Sequence, residues 1–157
     1  MLARWEMKPT AVSGGDQEAM LTAAETAVLE PEAEAVRDRL ALARLGHGPD
    51  DFMRQQGLVL IAFHNAFRHL ASGTPIEDAL VETVGEGGDT DTNAAICGAL
   101  LGAAQGRAAI PVRWSVAVLA CRPLSETGAR QPRPARYWPD DVPLLAEALL
   151  ARAKYSH

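Results

Sequence analysis

The chain has 157 residues, 48% hydrophobic and 22% charged, a balance typical of a globular protein and unlike that of a disordered one. Its net charge of −5 argues against a nucleic-acid-binding surface, which is usually basic. Cys97 and Cys121 are isolated, which argues against a disulfide scaffold and indicates a reducing, cytoplasmic location. We expect no signal peptide, because charges come early at the N-terminus and no apolar region follows them. We expect no membrane partner, because apolar stretches such as 57–63 are too short to span a bilayer.

The N-terminal part of the chain has the weakest pattern. We expect residues 1–30 to form a weakly patterned segment and residues 31–157 to form one helical domain. Asp16 is a candidate N-cap for a helix over 17–29. After Pro31, apolar residues recur at helical spacing and predict a second helix that ends before Gly46.

The middle of the chain carries clearer helix signals. Pro49-Asp50-Asp51 is predicted to open a helical segment whose apolar residues follow the 3.6-residue period to Leu70. Thr74-Pro75-Ile76-Glu77 reads as a capping box with proline at the first helical position. This box predicts a further helix that ends at the glycine-rich stretch 85–88.

The C-terminal part is predicted to hold three more helices. An apolar helix follows Thr92, and its glycines at every fourth position predict a flat ridge for close helix packing. Another helix runs from Pro111 to Ala120, and a last one begins at Asp140 or Asp141. The proline-rich stretch 122–139 between them is predicted to be a surface loop. Because no alternating strand pattern occurs, the predicted class is all-α.

An acidic motif follows Gly87-Gly88, just before the apolar helix. Asp89, Asp91 and Thr92 fit helix capping and the binding of a hard cation such as Mg²⁺, Mn²⁺ or Ca²⁺ equally well. An EF-hand loop starting at Asp89 fails, because Ala94 and Leu100 stand where that loop needs Gly and Glu. The motif therefore predicts either a capped helix or a metal site of another kind.

The strongest resemblance to a known family is carried by Gly87-Gly88-Asp89-Thr90-Asp91-Thr92-Asn93-Ala94-Ala95-Ile96-Cys97-Gly98-Ala99-Leu100-Leu101-Gly102-Ala103-Ala104-Gln105-Gly106, followed by Ile110-Pro111. This run closely resembles the C-terminal signature of the ADP-ribosylglycohydrolase family, which includes the dinitrogenase-reductase-activating glycohydrolase. Weaker similarity at 56–62 and 137–140 extends the resemblance over roughly residues 50–150.

The resemblance implies an all-α, orthogonal helical bundle like the C-terminal part of that family's fold. It implies a centre of two Mg²⁺ ions, or Mn²⁺ in their place, that helps to hydrolyse the bond between ADP-ribose and a protein side chain. Asp89, Asp91 and Thr92 are then metal ligands, and Asp89 and Asp91 are also catalytic. The implied partners are ADP-ribosylated proteins or ADP-ribose.

The chain also departs from the family's pattern. Members are typically about twice as long, and their N-terminal half carries a second metal motif of the type Thr-x-Asp-Asp-Thr. Here the adjacent aspartate pairs are Asp50-Asp51 and Asp140-Asp141, which lack flanking threonines and are predicted to start helices. We therefore expect catalysis to need a complementing N-terminal half or a second copy of the chain. The alternative is a non-catalytic, self-associating or regulatory helical module.

Overall fold

The structure, a computed structural model, describes residues 14–27 and 34–154, and the regular elements in these ranges are all helical. This confirms the predicted all-α class. No helix within the same ranges is both long and apolar enough to cross a membrane. The α-helices are α1 (Gly14–Ala27), α2 (Glu34–Arg44), α3 (Val59–Ala71), α4 (Ile76–Gly85), α5 (Thr90–Gln105), α6 (Val112–Leu119) and α7 (Val142–Lys154).

The chain divides into two compact units, Met1–Ile110 and Pro111–His157. The predicted boundary near residue 30 lies outside the described residues and stays a prediction.

The core of the first unit is built around α3 and α5. The buried residues of α5 recur every three or four positions, so they form one stripe along the helix, and this stripe packs on α3. α1 and α2 also contact α3, while α4 packs on α5. The core cluster consists of Leu21, Ala66, Leu70, Ile76, Ala79, Cys97, Leu101 and Ala104.

The predicted glycine ridge of α5 packs against α4. A Cβ at Gly98 would lie 3.4 Å from Leu80 Cδ2, and one at Gly102 would lie 3.9 Å from Ile76 Cδ1. The absence of side chains at these positions lets the two helices approach closely. The ridge is therefore part of the packed interior of the first unit.

The predicted capping box at the start of α4 is wrong. Pro75 is the N-cap residue and makes no side-chain cap hydrogen bond. Instead, Gln105 at the end of α5 forms hydrogen bonds with two backbone groups at the start of α4. Its Oε1 accepts from the Ile76 N–H at 2.9 Å, and its Nε2 donates to the Thr74 carbonyl at 2.6 Å. A side chain brought in by tertiary packing has replaced the local cap.

Asp50 and Asp51 do not start a helix, contrary to the prediction. α3 begins at Val59, and Asp51 Oδ1 instead accepts from the backbone N–H groups of Met53 at 2.9 Å and Arg54 at 2.8 Å. Short acidic side chains often bind nearby backbone in this way and so compete with helix formation. α5 likewise begins earlier than predicted, at Thr90 rather than after Thr92. The second acid pair lies in a 3-10 turn, Pro139–Asp141, directly before α7.

Buried polar contacts join α3 to α4. Asn65 Nδ2 donates to Thr83 Oγ1 at 2.8 Å, and the Thr83 hydroxyl donates to the Ala79 carbonyl at 2.7 Å. Nearer the surface, Arg68 Nη2 bonds Glu82 Oε1 at 2.6 Å. Because Asn65 and Thr83 are fully buried, their mutual hydrogen bond removes the cost of leaving polar groups unpaired.

Two histidines of α3, His64 and His69, are also buried. Burial is the main cause that lowers the pKa of both, and the nearby Arg68 guanidinium lowers it further. His69 Nε2 lies 2.9 Å from Arg68 Nη2. Because a guanidinium only donates hydrogen bonds, His69 Nε2 is the acceptor, and a histidine ring that accepts a hydrogen bond is neutral. Glu82 opposes the shift at His69.

His64 differs from His69 because neither of its ring nitrogens has a hydrogen-bond partner among the described residues. It lines a cavity of about 80 Å³ between α2 and α3. The backbone of His47 and the carboxylate of Asp50 favour its charged form, whereas burial, Arg39 and Arg68 oppose it. The net effect is a pKa below the ordinary value of a histidine.

Arg122 organises the loop of the second unit. Its Nη1 donates to the carbonyls of Leu119 and Cys121, both at 2.9 Å. Its Nη2 pairs with Asp140 at 3.1 Å, and the guanidinium lies 4.8 Å from the centre of the Trp138 ring. The predicted surface loop is therefore tied both to the end of α6 and to the segment before α7.

We expect Gln105→Ala to lower the free energy of unfolding by about 1–3 kcal/mol, because the Ile76 N–H and the Thr74 carbonyl lose their partner in a half-buried place. Chemical denaturation measures this change. Gln56→Ala, at an exposed glutamine, is the matched control and should leave stability within about 0.5 kcal/mol of the wild type. Equal stabilities of the two variants would contradict the capping role.

We expect the free energy of unfolding to fall as the pH drops below about 6.5, because the unfolded chain then binds protons at His64 and His69 that the native state resists. Each such histidine contributes a slope of at most about 1.4 kcal/mol per pH unit. His64→Leu should reduce this slope without loss of stability at pH 7. A slope unchanged by His64→Leu would refute the assignment.

Candidate metal-binding site

Two glycines reverse the chain between α4 and the acidic motif. Gly87 has a φ of 77° and Gly88 a φ of 70°, a left-handed conformation that glycine adopts at little cost. The turn that they form lets α5 begin five residues after α4 ends. The predicted function of the glycine pair, a tight backbone turn behind the polar residues, is confirmed.

The space beside these glycines is filled by Phe52 and Met53, from the segment before α3. A Cβ at Gly88 would lie 2.9 Å from the Phe52 carbonyl carbon and closer still to its oxygen. A Cβ at Gly87 would lie 2.9 Å from Met53 Sδ. The Gly88 backbone N–H also donates to Met53 Sδ at 3.1 Å. Close contact with the Phe52 backbone thus requires a glycine at position 88, and the positive φ favours glycine at both positions.

Asp89 is the N-cap residue of α5, but its side chain does not cap the helix. Its backbone carbonyl accepts from the Asn93 N–H at 3.0 Å, as the first helical hydrogen bond requires, whereas its carboxylate makes no cap hydrogen bond. Asp91 Oδ1 accepts from the Thr92 N–H at 3.0 Å. Helix capping therefore does not account for the carboxylate of Asp89.

The side chains of Asp89 and Asp91 influence each other's ionisation. This side-chain interaction is the largest cause that holds the pKa of Asp91 below its ordinary value, with the Thr92 backbone N–H second. Both groups lie at the N-terminal end of α5, where the helix dipole favours negative charge. The result is a concentration of oxygen ligands that a hard cation prefers.

The burial pattern of the first turn of α5 directs these groups outward. Asn93 is 5% exposed and anchors the helix in the core, while Asp91 and Thr92 are exposed and Asp89 is half-buried. The structure thus gathers all three predicted ligands at one end of α5. The oxygen donors remain accessible because the buried stripe begins only at Asn93.

These donors suit Mg²⁺ in kind, since Mg²⁺ takes oxygen ligands and commonly combines one or two carboxylates with water molecules. Two carboxylates and a hydroxyl form a partial ligand set of that type. In the part of the chain that the structure describes, no cluster of three or more His, Cys, Asp or Glu residues has the geometry to hold a metal. Asp89, Asp91 and Thr92 would therefore hold an ion together with ligands from elsewhere.

Sequence reasoning missed Phe52 and Met53, which contact the glycines from 35 residues upstream. No local pattern marks them. A general signal was present, because consecutive glycines often indicate that another group approaches the backbone closely. The identity of that group is visible only in the folded chain.

We expect Gly88→Ala to lower the free energy of unfolding by at least about 2 kcal/mol, because the new methyl group is strained at positive φ and meets the rigid Phe52 backbone. Gly85→Ala is the matched control: a Cβ there meets nothing within 4 Å, so stability should stay the same or rise by up to about 1 kcal/mol. Thermal or chemical unfolding measures both. A Gly88→Ala protein as stable as Gly85→Ala would show that the Phe52 contact is not formed.

Comparison with known proteins identifies the family of the chain. No curated protein and no solved structure matches the chain. The family described as ADP-ribosylglycohydrolase matches residues 4–154, and so includes N-terminal residues beyond the 50–150 region that the signature indicated. Because this match covers nearly the whole chain and the fold is all-α, the chain belongs to the ADP-ribosylglycohydrolase family.

Proposed function

We propose that the chain contributes metal ligands to the hydrolysis of the glycosidic bond between ADP-ribose and a protein side chain. Family membership supports the reaction class. The observation that carries the proposal is the Asp89 carboxylate, which stands at a helix N-cap without capping the helix and instead interacts with the side chain of Asp91. Two carboxylates at one place offer a cation two charged oxygen ligands.

In this proposal Asp89, Asp91 and Thr92 provide the oxygen atoms that hold Mg²⁺, or Mn²⁺ in its place. When bound, the ion supplies Lewis acidity and a fixed positive charge next to the sugar. Asp91, whose pKa lies below its ordinary value, is ionised at neutral pH as any exposed aspartate is, so it can accept a hydrogen bond from a ribose hydroxyl or a water molecule. Asp89 is half-buried, and its restricted position makes it suited to orienting the bound groups.

A centre of two ions requires more carboxylates than these residues offer. We propose that the remaining ligands come from a complementing N-terminal half or from a second copy of the chain. Asp51 is not suited to this task, because its Oδ1 already accepts two backbone N–H groups. Binding of one ion and hydrolysis are thus two separate requirements, and they can be tested separately.

We expect the purified chain to bind Mg²⁺ in a calorimetric titration and to bind Mn²⁺ as measured by electron paramagnetic resonance. Asp89→Asn and Asp91→Asn should each weaken Mn²⁺ binding by about tenfold or more, because each removes a charged ligand. Glu86→Gln removes a nearby exposed charge that lies outside the motif, and should change the affinity by about twofold or less. Equal losses in all three variants would indicate nonspecific attraction.

The same variants test hydrolysis. Release of ADP-ribose from ADP-ribosyl-arginine and ADP-ribosyl-serine proteins is measured with the chain alone and after addition of a family N-terminal half. We expect activity only in the complemented sample, and its loss in Asp89→Asn. Activity of the chain alone would show that it needs no complement, and no activity in either sample would refute the proposed reaction.

A second candidate is a non-catalytic, self-associating module. The observation that favours it lies in the described part of the second unit, where no side chain is buried and aliphatic residues of both helices are exposed. A concentration-dependent mass in light scattering, together with no cation binding, would favour this candidate over the metal site. The exposed residues are Val112, Val116, Val118, Val142, Leu144, Leu145, Leu149 and Leu150.

A further inference from the structure

The segment from Asp51 to Arg54, which we call the 51–54 turn, lies directly against the two glycines that precede the acidic motif. We propose that this turn positions the motif for cation binding and that Met53 is its principal positioning residue. The proposal rests on the proposed function, because it explains how the ligand Asp89 is held in place. It assigns a role to a part of the chain that lies outside the family signature.

The 51–54 turn is held together by contacts of its own. Asp51 Oδ1 accepts from both the Met53 and the Arg54 backbone N–H groups, and Asp51 Oδ2 lies 3.4 Å from Arg54 Nε. Phe52 is 6% exposed, so the turn is also anchored by a buried aromatic side chain. The turn can therefore act as a rigid surface for the neighbouring glycines.

The glycines, in contrast, carry no side chain that could fix their conformation. Two consecutive glycines have an unusually large choice of backbone conformations, and ordering them opposes folding of the motif. The hydrogen bond from the Gly88 N–H to Met53 Sδ restricts this choice one residue before Asp89. The Phe52 carbonyl closes the space on the other side of Gly88. Together these contacts fix the backbone position from which the Asp89 side chain extends.

Because Met53 is largely exposed, its positioning role can be tested separately from any contribution to folding. Its side chain is 59% exposed, although its sulfur atom contacts both glycines. An exposed side chain of this kind contributes little to global stability, so its replacement should alter the motif without unfolding the protein. Met20, which packs against the core cluster from α1, offers a methionine without any contact to the motif.

The test compares Met53→Leu, which keeps an apolar side chain but removes the sulfur acceptor, with the control Met20→Leu. In Met53→Leu we expect the Gly88 amide hydrogen to exchange about threefold to tenfold faster, since it loses its acceptor. Mn²⁺ binding should weaken by about the same factor, with the global unfolding transition unchanged. Met20→Leu should change neither exchange at Gly88 nor Mn²⁺ affinity.

A second pair of variants tests the turn itself. Asp51→Ala removes the acceptor for two backbone N–H groups, whereas Asp51→Asn keeps an oxygen at the same place. We expect Asp51→Ala to weaken Mn²⁺ binding by about threefold to tenfold and Asp51→Asn to recover most of that loss.

The outcomes distinguish this inference from the proposed function. Unchanged exchange at Gly88 in Met53→Leu would overturn the inference whether or not a cation binds. Faster exchange with unchanged Mn²⁺ affinity would show that the contact exists but does not position the ligands, which also overturns it. A wild-type protein that binds no Mn²⁺ would overturn the proposed metal site, and the positioning role with it.

Discussion

The first unit depends on the burial of one stripe of α5, from Asn93 to Ala104, against α3 and its neighbours. Because this stripe is apolar apart from Asn93, its removal from water stabilises the helix in a fixed rotation about its axis. That rotation has a functional consequence. The residues just before the stripe, Asp91 and Thr92, are turned toward solvent, while Asn93 enters the core. The same burial therefore holds the unit together and presents the acidic motif.

Several polar groups between the helices of the first unit are satisfied by partners that are distant in sequence. The first N–H of α4 is bound by Gln105, and Asn65 of α3 is bound by Thr83 of α4. The sequence suggested local caps, a threonine before α4 and an aspartate before α3, but neither residue caps its helix in the structure. An unpaired group costs more in the interior than at the surface, so partners that arrive by tertiary packing take precedence there.

The candidate site joins a local signal to a tertiary support. Asp89 and Asp91 are two positions apart in the chain, so the sequence by itself places them near each other. The folded turn determines that the Asp89 side chain does not cap α5. It also determines how the side chains of Asp89 and Asp91 interact. Gly87 and Gly88, which precede the acidic residues, contact Phe52 and Met53 from a different segment of the chain. Two carboxylates and a hydroxyl at one place offer oxygen ligands of the kind that a hard cation takes, which is the chemical basis of the proposed metal site.

The sequence by itself determined the helical class, the order of the helices, the glycine turn and the residues of the acidic motif. These features follow from periodicity, from the backbone freedom of glycine and from the chemistry of neighbouring side chains, all of which are local. Only the tertiary structure decided that Asp51 closes a turn rather than starting a helix, that Gln105 caps α4, and that His64 and His69 are kept neutral by burial. It alone brought Met53 to Gly88. The hydrogen bonds of Asp51 are local, but the other features depend on which distant groups meet in the folded chain, and no local pattern encodes that meeting.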